Sequence, residues 1–190
     1  MASLSQTAQD GRLVVGIAGR IGAGKTSAAK HISSIFGFQY IRYSEVLAEW
    51  LAGGAQTKAE LQTVGWEVME KDLQPELNRR LIEQIVPASD TVVDGLRHPL
   101  DYTSLVSAFT ASFRLIFLDA PRETRWEHVK GTGRYSSFEK FFAADSHSVE
   151  QQIELLRPEA SLVIVNEGSL SALYSRVEDA TRGFRKEVRL

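Results

Sequence analysis

The chain has 190 residues, of which 43% are hydrophobic, and it contains no cysteine. This length suits one domain with a substantial core. The lack of cysteine excludes disulfides, zinc–thiolate sites and thiol catalysis. With 22 basic and 24 acidic residues, the formal net charge is -2. The chain therefore has no general attraction for nucleic acid or anionic membranes, and any anion site must be local.

The first residues, 1–11, are polar and lack the apolar centre of a secretory signal, so we expect a flexible lead-in. No apolar stretch is long enough to span a bilayer. These features favour a cytoplasmic protein without a membrane partner, either a monomer or a homodimer.

Short apolar runs alternate with longer amphipathic ones. The first run, "RLVVGIA" (12–18), predicts a buried strand ended by Gly19, and "GKTSAAKHISSIFG" predicts a helix closed by Gly37. Further strands are predicted at 38–43, 90–95, 113–120 and 161–168. Further helices are predicted at 44–54, 57–73, 74–86, 98–109, 121–131, 137–146 and 148–156, and from Ser169 onward.

Strands separated by helices predict a parallel sheet that is covered by helices on both faces. Five strands in one doubly wound α/β domain, 1–190, fit the length. Ligands of such sheets bind at the carboxyl ends of the strands. Those ends are Gly19, Tyr43, Asp94, Asp119 and Asn166.

The stretch "GRIGAGKT" (19–26) matches the phosphate-loop pattern G-x-x-x-x-G-K-[ST] between a predicted strand and a helix. Glycines let the backbone amides converge on one anion, and the next helix adds the positive end of its dipole. Lys25 is placed to reach the β- and γ-phosphates, and the Thr26 hydroxyl suits Mg²⁺. The residues expected to bind ATP here are Gly19, Gly22, Ala23, Gly24, Lys25, Thr26 and Ser27.

The motifs of a GTPase switch do not follow this loop. The nearest stretch to the guanine-reading motif N-K-x-D is "IVNEGS", which lacks both the lysine and the aspartate. The motif D-x-x-G needs two residues between its aspartate and glycine, but in "VVDGLRHP" Asp94 and Gly95 are adjacent. A small-molecule kinase accounts for more of the chain, because phosphoryl transfer needs cations around the moving group and exclusion of water.

A basic segment follows the fourth predicted strand. In "RETRWEHVKGTGRYSSFEKF", Gly131 and Gly133 lie between two cations, as in a mobile lid over about 122–142. The alternative is a solvated helix followed by a turn. The cations of this segment are Arg122, Arg125, Lys130 and Arg134.

Asp94 and Arg97 flank the end of the third strand. We expect Asp94 to hold Mg²⁺ near Thr26 through water. The alternative is that Asp94 is a buried aspartate paired with Arg97. The two roles do not exclude each other. Arg97 lies where an acceptor phosphate would sit, although a surface arginine is an equal alternative.

Six segments together resemble the nucleoside monophosphate kinase-like group of P-loop kinases: "GRIGAGKT", "YSEVLAEWL", "LQTVGWEVMEK", "VVDGLRHPLDY", "FLDAPRETR" and "IVNEGSL". The chain is similar to phage-type deoxynucleoside monophosphate kinases and to adenylate kinase-like and dephospho-CoA kinase-like proteins of microbes, over nearly all of its length from Leu13. The resemblance implies a P-loop NTPase three-layer fold with a core of 12–43 and 88–190. A helical acceptor-binding region at about 44–87 and the lid would complete it.

The resemblance also implies site roles. Lys25 and the loop glycines would bind ATP phosphates, and Arg97 would lie near the acceptor phosphate. Arg125 and Arg134 would clamp the transferred phosphoryl group. Asn166 would border the donor base, unless it is an ordinary turn asparagine.

Departures from the group leave the acceptor open. Adenylate kinases carry D-G-F-P-R where this chain has "DGLRHP", and dephospho-CoA kinases often carry an aspartate where this chain has Ser44 and Glu45. Glu45 is either a hydroxyl-orienting carboxylate or a favourable charge in a first helical turn. Trp50 and Trp66 would stack on a base or pack in the core, and at most one of the adjacent residues 79 and 80, both arginines, would face the cleft.

The leading expectation is an ATP- and Mg²⁺-dependent kinase whose acceptor is a small molecule, a ribo- or deoxynucleoside monophosphate. Dephospho-CoA and a modified base inside DNA stay open as acceptors, although the charge balance disfavours nucleic acid. A nucleotide-binding module without catalysis is the alternative of another class.

Overall fold

The fold is built on a five-stranded parallel sheet in a computed structural model that describes residues 11–50, 68 and 72–189. The strands are β1 (Val14–Ala18), β2 (Gln39–Arg42), β3 (Thr91–Leu96), β4 (Phe113–Asp119) and β5 (Leu162–Val165). Their order is β2-β3-β1-β4-β5, and each neighbouring pair is parallel. The predicted sheet is therefore confirmed, with β1 at its centre.

Helices fill the connections between the strands. They are α1 (Lys25–Phe36), α2 (Tyr43–Trp50), α3 (Gln74–Glu83), α4 (Pro99–Phe109), α5 (Arg122–Val129), α6 (Phe138–Asp145), α7 (Ser148–Ile153) and α8 (Leu170–Val188). Short 3₁₀ turns occur at Thr110–Ser112 and Glu154–Leu156. No helix within the described ranges is both long enough and apolar enough to cross a membrane.

Three sequence expectations fall on residues outside the described ranges. Of the lead-in at 1–11 only the last residue is described, and the helix predicted at 57–73, with Trp66, lies almost entirely outside. The acceptor-binding region at about 44–87 therefore stays a prediction.

The strand β1 shows how the sequence produces two cores. Successive side chains of a strand point to opposite faces, and every residue of β1 is buried. Val14 and Ala18 join a cluster with buried side chains of α2, α3 and α4, whereas Val15 and Ile17 join one with α1 and α8. This burial on both faces explains why the run is continuously apolar rather than alternating.

The carboxyl ends of the strands lie at one edge, with one difference from the sequence expectation. Strand β2 ends at Arg42, and Tyr43 begins α2 instead of ending the strand. The Tyr43 ring is buried, and its hydroxyl donates to Asn78 Oδ1 at 2.8 Å. Because Tyr43 turns into the core, Arg42 is the residue that β2 delivers to the ligand edge.

Candidate functional site

The phosphate loop follows β1 and is curled by its glycines. Gly19 and Gly22 have φ of 138° and 81°, a region that L side chains rarely adopt. A Cβ on Gly19 would lie 2.2 Å from the Leu118 carbonyl oxygen, and one on Gly22 would lie 2.5 Å from the Arg125 carbonyl oxygen. Both positions therefore need glycine for backbone conformation and for space.

Side chains from distant parts of the chain hold the loop in this shape. The Ile21 amide donates to Glu150 Oε2 at 2.8 Å, and the Ile21 carbonyl accepts from Arg125 Nη1 at 3.0 Å. Both side chains are buried. Ile21 is thus fixed through both of its backbone polar groups.

Asn166, the sequence candidate for the donor-base border, also supports the loop. Its Nδ2 donates to the Ala23 carbonyl at 3.0 Å, and its own amide donates to the Asp119 carbonyl at 2.7 Å. A Cβ on Gly24 would lie 2.9 Å from Asn166 Nδ2. His128 Nδ1 lies 2.8 Å from the Gly22 carbonyl oxygen. Asn166 also lines the cavity described below; its place beside the donor base stays a prediction.

Lys25 begins α1 and points back over the loop. Its Nζ donates to the carbonyls of Gly19 and Arg20, at 2.5 and 2.8 Å. Burial lowers the pKa of Lys25 to about 8; Glu150 opposes this shift, and the nearby arginine at position 97 reinforces it. An anionic ligand would favour the charged lysine, so nucleotide binding and protonation are coupled.

Asp94 lies beside the start of α1. Its Oδ2 accepts from the Thr26 hydroxyl at 2.8 Å and from the Tyr40 hydroxyl at 2.9 Å, and Arg42 Nε lies 3.4 Å away. Parallel pairing of β2 with β3 places Arg42 opposite Asp94. The carboxylate is 1% exposed and is stabilised by these donors.

The Thr26 hydroxyl and the Asp94 carboxylate are oxygen ligands of the type that Mg²⁺ prefers, and Mg²⁺ usually takes only one or two protein ligands beside phosphates and water. Across the described part of the chain, no group of three or more His, Cys, Asp or Glu side chains forms a metal site by itself. The two residues therefore fit an ion that arrives with a nucleotide.

Arg97 has a different partner from the one expected. Its Nη1 donates to Glu150 Oε1 at 2.6 Å, whereas the carboxylate of Asp94 contacts Arg42 instead. The Arg97 backbone amide donates to Asp101 Oδ2 at 2.8 Å. The expected pair between Asp94 and Arg97 is therefore wrong.

Arg125 was expected to clamp the transferred group, but its guanidinium does not line the cavity. It is 4% exposed and forms a bidentate ion pair with Asp145, at 2.5 and 3.0 Å. Its Nε donates to the Ala120 carbonyl at 3.0 Å. The physical reason is its place on α5: Arg125 shares the buried inner face of this helix with Val129, one turn later.

The segment expected to form a lid has a fixed base and an exposed tip. Val129 and Phe141, from α5 and α6, pack with Ile21 of the phosphate loop in a small buried cluster. Between the two helices, residues 130–134 are exposed, and Arg134 lines the cavity. Lys130 does not line the cavity; it follows α5 directly and pairs with Glu127 of that helix.

One cavity of about 850 Å³ gathers most of these groups. The sequence candidates that line it are Gly22, Gly24, Lys25, Thr26, Ser27, Asp94, Arg97, Arg134 and Asn166. Gly19 and Ala23 belong to the loop but do not line the cavity. Arg42, Lys30 and His128 line it and were missed by sequence reasoning. Only Arg42 had a usable signal, because it lies one residue before the predicted end of β2.

The two adjacent arginines of α3 point away from this cavity. Arg80 packs over the Trp50 ring at 5.1 Å and donates to Glu76 Oε1 at 2.7 Å. Arg79 pairs with Glu76 and Glu83 at the surface. Neither arginine lines the cavity.

Solved structures share this fold at low sequence identity. TT1252 from Thermus thermophilus is 21% identical with a TM-score of 0.59, covering 90% of this chain and 97% of that one. Shikimate kinase from Acinetobacter baumannii in complex with shikimate is 16% identical with a TM-score of 0.58, covering 90% and 94%. A gluconokinase from Sinorhizobium meliloti 1021 is 13% identical with a TM-score of 0.62, covering 93% and 95%.

These similarities show that the chain has the fold of P-loop kinases. The chain matches no protein-family model and no curated protein. The predicted fold is confirmed, and the nucleoside monophosphate kinase-like group within it stays a prediction.

Arg125→Ala should lower the free energy of unfolding by about 3–5 kcal/mol, because it leaves the buried Asp145 without its main partner. Arg134→Ala, in the same segment but exposed, should change it by less than about 0.5 kcal/mol. Urea unfolding of both variants measures this. An Arg125→Ala protein as stable as the wild type would contradict the structural role.

Nucleotide binding should take up protons at and above about pH 8, because a substantial fraction of Lys25 is then neutral in the empty protein and the phosphates favour its charged form. Affinity for ADP should fall as pH rises through this range. Calorimetry without Mg²⁺, in buffers of different ionisation enthalpy, measures the uptake. Lys25→Met is the control and should abolish it; unchanged uptake in that variant would assign the proton to another group.

Proposed function

We propose that the protein transfers the γ-phosphoryl group of ATP to the phosphate of a ribo- or deoxynucleoside monophosphate. The single observation that carries this proposal is the shared cavity, in which the phosphate loop faces Arg97, Arg42 and Arg134. A donor loop explains Lys25 and Thr26, but a bound ATP alone does not need arginines across the cavity. A second anionic substrate does.

The lack of a free carboxylate in the lining favours a phosphate acceptor over a hydroxyl acceptor. A hydroxyl must lose a proton during transfer, so a carboxylate usually serves as base, whereas an acceptor phosphate is already anionic and needs cations. Among the described residues that line the cavity, Asp94 carries the one carboxylate, and it already accepts from Thr26 and Tyr40. Glu45, the other candidate base, is exposed and does not line the cavity.

A hydroxyl acceptor is the second candidate, because similar structures include a shikimate kinase and a gluconokinase. The names of these proteins imply hydroxyl acceptors, and dephospho-CoA would also accept on a hydroxyl. The two candidates differ in the charge and chemistry of the accepting group, so a substrate screen separates them.

The chain's own residues would divide the work. Lys25 and the loop amides hold the donor phosphates, Arg97 holds the acceptor phosphate, and Arg134 approaches the transferred group from the tip of the lid. Thr26 and Asp94 would hold Mg²⁺, which supplies charge neutralisation on the phosphates when bound.

The test is ATP consumption with every ribo- and deoxynucleoside monophosphate, shikimate, gluconate, dephospho-CoA and DNA as separate acceptors. At least one monophosphate should be turned over, and EDTA should abolish the reaction. Lys25→Met should lose the activity while keeping the fold. Turnover of a hydroxyl acceptor alone would replace the proposal with the second candidate, and tight ATP binding without any turnover would favour a binding module.

Arg97→Ala should chiefly raise the KM of the acceptor, because Arg97 would bind the acceptor in the ground state as well as in the transition state. Arg134→Ala should chiefly lower kcat, since its contact would tighten only during transfer. Arg182→Ala, an exposed arginine of α8, is the control and should change neither constant. The same kinetic pattern in both site variants would contradict this division.

Hydrogen exchange should separate the tip of the lid from its base. Residues 130–137 lie between α5 and α6, and Gly131 and Gly133 have φ of 76° and 74°, so this stretch should exchange fast in the empty protein. It should gain protection most when a non-hydrolysable ATP analogue and the acceptor are both present. The flanking helices should be protected throughout. Strong protection of 130–137 without ligand would mean that this stretch is a fixed element.

A further inference from the structure

Glu150 lies in α7, outside every motif of the sequence. It contacts both the phosphate loop and Arg97, which lines the same cavity. Its side chain is 0% exposed. One carboxylate oxygen, Oε2, accepts from the Ile21 amide of the phosphate loop at 2.8 Å. The other, Oε1, accepts from Arg97 Nη1 at 2.6 Å. A single buried group therefore joins the donor loop to the arginine that faces the acceptor.

A carboxylate in this position has a specific consequence for Arg97. A buried charge is costly unless it is paired and hydrogen-bonded, and Arg97 is the cation that pairs directly with Glu150; Lys25 is a second cation near it. The short N–O distance is typical of a charge-assisted hydrogen bond. The Arg97 side chain is still 32% exposed at the cavity wall, so the pairing restrains its guanidinium without covering it.

We propose that Glu150 is a positioning residue for phosphoryl transfer: it fixes the guanidinium of Arg97 relative to the phosphate loop, and thereby sets the distance between the acceptor and donor phosphates. This inference rests on the proposed function, because it needs an acceptor that Arg97 binds. Small displacements of a bound substrate slow transfer strongly, so a fixed arginine is worth more to the reaction than a free one.

Glu150→Gln separates the two contacts. Glutamine keeps the size of the side chain but offers one acceptor oxygen instead of two. The Ile21 amide is buried and has no access to water, whereas Arg97 is partly exposed. The carboxamide oxygen should therefore keep the hydrogen bond from the Ile21 amide. The NH₂ group would then face Arg97, which loses its acceptor because both groups are donors.

Acceptor KM should rise on the order of tenfold in Glu150→Gln, whereas the KM for ATP should rise by less, through the loss of the Glu150 charge near Lys25. In an Arg97→Ala background the same substitution should add less than about twofold, because the group that it positions is already gone. Glu187→Gln removes an exposed carboxylate of α8 and should change no constant. The acceptor in these assays is the monophosphate that the screen identifies.

A second measurement needs no turnover. In ¹⁵N spectra of the protein without ligand, Glu150→Gln should give the Arg97 guanidinium faster rotation, and the Ile21 amide should keep its hydrogen-bonded signal. Arg97→Ala should shift the Ile21 amide signal, because the shared carboxylate loses one partner. This second variant keeps the test usable if Glu150→Gln does not fold.

The outcomes distinguish the two levels of the proposal. The positioning role would be overturned if the fold-changes in acceptor KM of Glu150→Gln and Arg97→Ala multiplied fully in the double variant. It would also be overturned if Glu150→Gln weakened ATP binding and left the acceptor KM unchanged. Either result would mean that Glu150 only shapes the phosphate loop. An unaltered Arg97 signal in Glu150→Gln would overturn it as well. No turnover with any acceptor would instead refute the proposed function and the positioning role with it, even where the spectra show the contact.

Discussion

A loop that presents its backbone amides to a ligand has few hydrogen bonds left with which to hold its own shape. Here the shape comes from outside the loop: Arg125, Glu150 and Asn166 each bond a backbone group of Ile21 or Ala23. All three side chains are buried and come from the chain that follows β4. The phosphate loop is therefore a local motif in sequence but depends on the second half of the domain for its geometry.

Buried carboxylates organise the cations around this loop. Asp145 holds Arg125 in the wall of the domain, Glu150 holds Arg97 at the cavity, and Asp94 faces Arg42. Each pair restrains a flexible arginine side chain; Arg125 is buried, whereas Arg97 and Arg42 stay about one third exposed. The cost of burying these charges is offset only while both members are present. The cavity thus carries preorganised positive charge even though the whole chain is slightly acidic.

The sequence predicts the sheet and the phosphate loop because both depend on local patterns: apolar runs, glycines and one lysine at fixed spacing. The approach of Asp94 to the loop follows from parallel strands that end at one edge. The sequence does not predict that Arg125 is buried whereas Arg134 lines the cavity, because both lie in one basic segment. Their difference depends on Asp145, 20 residues beyond Arg125, and Arg97 is held by a carboxylate 53 residues away. Such pairings depend on tertiary packing, which no spacing rule encodes.

The absence of room at Gly19 restricts how this protein is able to evolve. Any side chain there would meet the Leu118 carbonyl oxygen, which belongs to β4, and β4 pairs with both β1 and β5. Relief of one steric clash would thus displace three strands at once. Any single substitution at this position is therefore expected to destabilise the fold. Side chains of the cavity wall that belong to no strand and to no buried ion pair, such as Ser44, are freer to change.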